Sequence, residues 1–189
     1  GNGKWVAVGQ DGKIAYSANG QTFTLGTSPF GPSTVFDIAY GNGKWVAVGA
    51  AGKIAYSANG QTFTLGTSPF GTSYVYGIAY GNGKWVAVGL SGKIAYSTDG
   101  QTFTLGTSPF GTSTVSGIAY GNGKWVAVGQ DGKIAYSADG QTFTLGTSPF
   151  GTSHVFGIDY GNGKWVAVGQ DGKIAYSTDG QTFTLGTSP

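Results

Sequence analysis

The sequence repeats itself every 40 residues. The segment GNGKWVAVG begins at residues 1, 41, 81, 121 and 161 of the 189-residue chain. One repeat contains four short segments rich in β-forming residues, and glycine-containing turns separate them: residues 35–40, 44–49, 53–57 and 61–66. No segment has helical periodicity. A fixed period of about 40 residues with four strands and no helix is typical of a β-propeller blade.

This pattern predicts an all-β fold, a five-bladed β-propeller of four-stranded blades in which the first blade lacks its innermost strand. We expect a single domain over residues 1–189, with blade repeats at 1–29, 30–69, 70–109, 110–149 and 150–189. Propellers commonly close by joining both ends of the chain. Three outcomes are open: the ring closes around a three-stranded first blade, another chain or a tail donates the missing strand, or the sequence is part of a longer chain. We favour closure, with the first blade packed against the last one and a free strand edge beside the channel as a place for an added strand from a partner.

The turn between the second and third strands varies among the repeats. It is Asp11-Gly12 in the first repeat but Ala51-Gly52 and Ser91-Gly92 in the next two. Because alanine tolerates a positive φ poorly, we expect a right-handed residue followed by a left-handed glycine in a bulged turn, and not a type I′ turn.

The hairpin STDGQTF at residues 97–103 resembles the Asp box of sialidases and related propellers. The longer unit at 115–143 is similar to blades of the photosystem II assembly-factor propellers. The resemblance covers the whole chain and implies the propeller fold. The hairpin departs from the Asp box by one residue fewer before the glycine, by Phe103 in place of Trp, and by Asn19 and Asn59 in place of Asp. Since short polar side chains bond the N–H groups of their own turn, we expect a structural role for this motif.

The charged residues argue against several classes of function. The ten basic residues are all lysine and the eight acidic ones are all aspartate. Sialidases grip a carboxylate with clustered arginines, which this chain lacks. Asp37 and Asp159 are the aspartates of first strands, but they belong to different blades, so a catalytic carboxylate pair is not expected. The net charge of +2 and the absence of long apolar runs argue against nucleic acid and membrane partners.

These observations predict a protein that is not an enzyme and needs no cofactor or metal. Two interpretations remain open. The small amino-acid alphabet and the near-identical repeats favour a repeat scaffold that was designed, derived from a consensus or recently amplified. The alternative is a natural recognition module, such as a carbohydrate-binding lectin or a protein-binding propeller.

Variation among the repeats is confined to nine of the 40 positions. The radical changes fall in the second-to-third turns, in the links between blades and along the first strands, which border one face of a propeller and its channel. Because loops on a rigid scaffold often carry binding specificity, this face is the candidate site for a glycan or protein ligand. Tolerated drift is the alternative. The hypothesis names Gln10, Asp11, Thr34, Phe36, Tyr74, Tyr76, Leu90, Thr114, His154 and Asp159 as ligand-binding residues.

The single histidine and the nearest aspartate are not expected to form a dyad. His154 and Asp159 are five positions apart, which places their side chains on opposite faces of an unbroken strand. A bulge at Gly157 would change this parity. The tryptophan of each repeat is expected to fill the space between neighbouring blades.

Overall fold

The structure, a computed structural model, describes residues 1–188. Within these residues the chain forms one three-stranded and four four-stranded antiparallel sheets. The predicted all-β, five-bladed propeller with a first blade one strand short is confirmed. The last residue of the predicted fifth repeat, position 189, lies outside the described residues.

The strands of each blade follow one another from the channel outwards. The first blade contains β1 (Trp5–Val8), β2 (Ile14–Ser17) and β3 (Thr24–Leu25). The second contains β4 (Val35–Gly41), β5 (Lys44–Gly49), β6 (Ile54–Ser57) and β7 (Thr64–Leu65). The third contains β8 (Val75–Gly81), β9 (Lys84–Gly89), β10 (Ile94–Ser97) and β11 (Thr104–Leu105). The fourth contains β12 (Val115–Gly121), β13 (Lys124–Gly129), β14 (Ile134–Ser137) and β15 (Thr144–Leu145). The fifth contains β16 (Val155–Gly161), β17 (Lys164–Gly169), β18 (Ile174–Ser177) and β19 (Thr184–Leu185).

The first strands of neighbouring complete blades, β4, β8, β12 and β16, contact one another in order and line the central channel. Each of them carries a β-bulge near its start, as between Val155 and Gly157. Two 3-10 turns, Ala50–Gly52 and Gln170–Gly172, are the helical segments of the described residues. Neither is long enough to cross a membrane.

The second-to-third turns differ from the prediction. Ala51 has a φ of 55° and is followed by Gly52 with a φ of 67°, so both central residues are left-handed. The N–H of Lys53 donates to the carbonyl of Ala50, which makes this a type I′ turn. The predicted right-handed first residue is therefore wrong. The type I′ turn matches the twist of the two flanking strands, and this outweighs the strain of a left-handed alanine.

The third-to-fourth hairpin is held by its own serine and aspartate. In the third blade, Asp99 Oδ1 accepts hydrogen bonds from Ser97 Oγ at 2.8 Å, Gln101 N at 2.7 Å and Thr102 N at 2.9 Å. Gly100 has a φ of 70°, and a Cβ there would lie 2.9 Å from the indole nitrogen of Trp85. Both constraints select glycine. The contacts support the expected structural role of the hairpin, while its relation to the Asp box stays a prediction.

The hairpin hydrogen bonds lower the pKa of the aspartates. The pKa of Asp179 falls to about 2, because its carboxylate accepts from the N–H groups of Thr182 and Gln181 and from the hydroxyl of Ser177. At Asp99, burial alone raises the pKa, but the equivalent hydrogen bonds outweigh it and the net shift is downward. Each charged hairpin is therefore most stable when its aspartate is ionised.

Neighbouring blades are joined by a repeated apolar contact. Between the third and fourth blades, Val86 and Val88 pack with Trp125 and Ala127 in one buried cluster. The corresponding tryptophans Trp45, Trp85, Trp125 and Trp165 are each 5% exposed or less. The predicted role of the tryptophan between blades is confirmed at these four positions.

The two ends of the array are not covered. We call Trp5, Ala7 and Phe23 of the first blade the leading face, and Val166, Val168 and Tyr176 of the fifth blade the trailing face. Trp5 is 63% exposed, and Val166 and Val168 are 41% and 44% exposed. The expectation that the first blade packs against the last is therefore wrong within residues 1–188. The four internal contacts fix the angle between blades, and five blades at this angle leave the ring open.

The protein should lose stability at low pH as the hairpin aspartate becomes protonated. A folded-state pKa of about 2, against the unperturbed 3.8, gives Asp179 a contribution that is present above pH 4 and is lost as the pH falls towards 2. The unfolding free energy of the parent protein should fall between pH 5 and pH 2. In Asp179→Asn this fall should be smaller by roughly 1 kcal/mol, a value that allows for solvent screening at this exposed site.

Urea unfolding at the two pH values measures this difference. Asp171→Asn is the matched control, because it removes one exposed aspartate of the same blade that lies outside the hairpin. If both substitutions change the pH dependence of the unfolding free energy equally, the hairpin hydrogen bonds do not stabilise the ionised form of Asp179.

Candidate ligand pocket at the channel mouth

A pocket of about 480 Å³ lies where the variable positions of four blades meet. Such a volume is within the range of small-molecule sites. Three kinds of segment supply its walls: the first strands, the second-to-third turns and the links between blades. The lining residues are Phe36, Tyr76, Leu90, Thr114, Ser116, Gln130 and His154.

One side of the pocket is aromatic. The ring of Phe36 lies 5.2 Å from that of Tyr76 and 5.7 Å from that of Tyr74, and the two tyrosines meet edge to face at 6.2 Å. These are favourable aromatic separations. Phe36 and Tyr74 remain partly exposed, so their rings offer apolar surface to a ligand.

The other side is polar and uncharged at its surface. Ser116 Oγ and His154 Nε2 share a hydrogen bond of 2.6 Å across the boundary between the fourth and fifth blades. The side-chain oxygen of Gln130 accepts from the N–H of Thr114 at 2.9 Å. Hydroxyl, amide and imidazole groups all combine donor and acceptor capacity, so this side can match the hydroxyl or carbonyl groups of a ligand.

The carboxylate of Asp37 connects the two strands that carry the aromatic side of the pocket. It follows Phe36 on β4, and its two carboxylate oxygens accept from the N–H of Ile38 at 2.8 Å and of Ile78 at 2.9 Å. Burial raises the pKa of Asp37, and the two N–H groups oppose that shift only in part. The carboxylate thereby ties β4 to β8, which carry Phe36 and Tyr76.

Five of the ten residues named from the sequence lie together on this pocket. A sixth, Tyr74, contacts two of the pocket's aromatic rings. The five are Phe36, Tyr76, Leu90, Thr114 and His154.

The other four lie elsewhere. Gln10 and Asp11 line a separate cavity of about 350 Å³ on the first blade. Thr34 is half-buried, and its carbonyl accepts from the N–H of Ala50. Asp159 is exposed and accepts from the N–H of Tyr160 at 2.8 Å. The histidine thus bonds a serine of the neighbouring blade, whereas the aspartate bonds its own backbone.

Two pocket residues were not named from the sequence. Ser116 occupies the repeat position of Phe36 and Tyr76, and Gln130 occupies that of Gln10 and Leu90. Because both residues stand at the same repeat positions as named residues, the repeat alignment alone could have identified them as candidates.

Comparisons with solved structures support the propeller fold. The chain is similar to virginiamycin B lyase from Staphylococcus aureus, with a TM-score of 0.85 and 21% identity over 99% of this chain and 70% of that one. It is similar to YCF48 bound to D1 peptide, with a TM-score of 0.71 and 16% identity over 95% and 62%. It also resembles the computationally designed Ika8 protein, with a TM-score of 0.64 and 20% identity over 92% and 58%.

At these identities the likeness concerns the fold. The chain spans 58% to 70% of the length of these three proteins. No family model matches the sequence. A comparison with curated protein sequences likewise gives no match.

The prediction that the protein is not an enzyme is contradicted. Virginiamycin B lyase is an enzyme, as is streptogramin B lyase, which the chain matches with a TM-score of 0.83 and 17% identity over 95% of its length and 63% of that chain. The prediction relied on the lack of arginine and glutamate, which excludes sialidase-like chemistry. Proton transfer can instead use a single histidine, so the composition does not exclude catalysis.

The aromatic side of the pocket should tolerate substitution better than the core. Tyr76 is half-buried, so Tyr76→Ser, which introduces the residue of position 116, should lower the free energy of unfolding by only about 1 kcal/mol. Phe110 is fully buried in the link, and Phe110→Ser should cost about 3–5 kcal/mol.

Urea unfolding of both variants compares the two positions directly. A loss for Tyr76→Ser as large as that for Phe110→Ser would mean that the aromatic side is part of the structural core and not a free ligand surface.

Proposed function

We propose that the protein binds a small, neutral, amphipathic molecule of the saccharide class in the pocket at the channel mouth. The observation that carries this proposal is the pairing of an aromatic side with a polar, uncharged side around a cavity of about 480 Å³. A sugar ring has this same division, because its C–H face is apolar and its hydroxyl groups are polar.

The two sides suit the two parts of such a ligand. Phe36 and Tyr76 offer rings against which an apolar sugar face stacks. Thr114, Ser116 and His154 offer groups that bond hydroxyls. The lining contains no charged side chain among the described residues, so a neutral ligand is favoured over a strongly charged one.

The pattern of variation supports the same site. Every lining residue belongs to a position at which the repeats differ, whereas the valines and tryptophans of the interblade contacts are the same in every repeat. An array of identical blades would surround its channel with identical groups. The substitutions make one sector aromatic and another polar, which is what an asymmetric ligand requires.

A second candidate function is elimination of a leaving group from the bound molecule. The short Ser116–His154 hydrogen bond favours it, together with the likeness to two lyases. The Ser116 hydroxyl would take a proton from a substrate carbon and pass its own proton to His154 Nε2. The electron pair left on that carbon would form a double bond to the neighbouring carbon as the leaving group departs.

Binding is tested with a panel of monosaccharides and disaccharides by saturation-transfer NMR, followed by titration calorimetry of the positives. Tyr76→Ser removes the stacking ring, and His154→Thr introduces the residue found at the equivalent position 114. Each should weaken binding at least about tenfold, a typical effect of losing a good contact. Gln10→Ala, in the separate cavity of the first blade, is the control and should leave affinity unchanged.

Two results would overturn the binding proposal. One is that no saccharide of the panel binds, and the other is that both pocket variants bind as tightly as the parent protein.

Elimination is tested by incubating the protein with each ligand that binds. Mass spectrometry detects loss of the leaving group, and ultraviolet absorbance detects the new double bond. His154→Gln keeps a hydrogen-bonding group in the pocket but cannot take up a proton, so it should abolish turnover while leaving binding measurable. Binding without any product would exclude the second function and leave the first one standing.

A further inference from the structure

The leading and trailing faces are the two halves of a contact that occurs four times inside the chain. Between the fourth and fifth blades, Val126 and Val128 pack with Trp165 and Ala167 in a buried cluster. Lys124 Nζ also donates to the carbonyl of Asp179 at 2.8 Å, next to this cluster. Backbone bonds accompany it, because the N–H of Thr147 donates to the carbonyl of Gln181 at 2.8 Å.

Each group of this contact has an equivalent on a free end face. On the fifth blade, Val166 and Val168 repeat Val126 and Val128, and Lys164 repeats Lys124. On the first blade, Trp5 and Ala7 repeat Trp165 and Ala167.

The acceptors are repeated as well. The carbonyl groups of Asn19 and Gln21 on the first blade occupy the repeat positions of Asp179 and Gln181. The trailing face therefore carries the valines and the lysine, whereas the leading face carries the tryptophan and the carbonyls that they would meet.

The shape of the leading face agrees with this chemistry. Ala7 and Ala15 line the cavity of about 350 Å³ on the first blade, whereas the equivalent Ala47 and Ala55 are fully covered by the preceding blade. The small side chains leave a depression that valines of a neighbouring blade fill at every internal contact. Large exposed apolar surfaces of this kind mark association sites.

We propose that the trailing face of one chain binds the leading face of a second copy of the same chain. A second copy is the occupant because it presents, in the same relative arrangement, the groups that already cover these surfaces at the four internal contacts. The contact joins two different surfaces, so it is heterologous and leaves one free face at each end of a pair. Association therefore continues into larger rings or open assemblies.

The contact between copies is smaller than an internal one. The first blade lacks its innermost strand, so the residues that β16 contributes to the contact between the fourth and fifth blades have no counterpart. Association should consequently be reversible and depend on protein concentration.

Sedimentation velocity over a range of concentrations tests the proposal with the full chain. The parent protein should form species larger than a monomer as concentration rises. Trp5→Lys blocks the leading face and Val166→Lys blocks the trailing face, and each variant alone should remain a monomer. An equimolar mixture of the two should form a dimer and nothing larger, because one intact leading face meets one intact trailing face.

Leu105→Lys is the matched control, since it places a lysine at an exposed apolar residue on the outer strand β11, away from both end faces. It should associate like the parent protein, and circular dichroism checks that all variants are folded. The proposal is overturned if the parent protein stays monomeric at all concentrations, if either single-face variant associates by itself, or if the mixture forms no dimer.

Discussion

The contact between neighbouring blades, in which two valines of one blade pack with the tryptophan of the next, determines the rest of the structure. It occurs four times with the same residues, as at Val86, Val88 and Trp125. Each copy sets the same angle between blades, and this angle carries β4, β8, β12 and β16 around the channel. The pocket exists because this curvature brings positions from four blades to one place.

The repeat made the fold predictable, since its period, strand pattern and turn residues all indicate the same blade. Other features were less accessible. Ala51 adopts a left-handed conformation because hairpin twist outweighs its local preference. The open ring depends on an angle between blades that local sequence does not encode. Equivalent positions of different blades have different surroundings, so Gln10 lines a separate cavity on the incomplete blade while Gln130 lines the pocket.

Constant and variable positions of the repeat have different structural roles. Constant valines and tryptophans form the centre of the interblade clusters. The hairpins vary only conservatively, with Asn or Asp at the position of Asp99. Variable residues build an asymmetric pocket with Tyr76 on one side and His154 on the other. The missing arginines argue against sialidase-like chemistry, but the proton transfer proposed for the Ser116–His154 pair needs neither arginine nor glutamate. The same constant contact, left open at both ends, is the basis of the proposed binding of one copy of the chain to another.

The most direct test of this account is acrylamide quenching of tryptophan fluorescence at protein concentrations low enough to keep the chain monomeric. The chain has five tryptophans, of which Trp5 is 63% exposed while the others are buried between blades. The account predicts a readily quenched fraction of the emission that disappears in Trp5→Phe, with the remaining emission protected. Uniform protection of all five tryptophans would mean that the first and last blades pack together and close the ring, which would contradict the account.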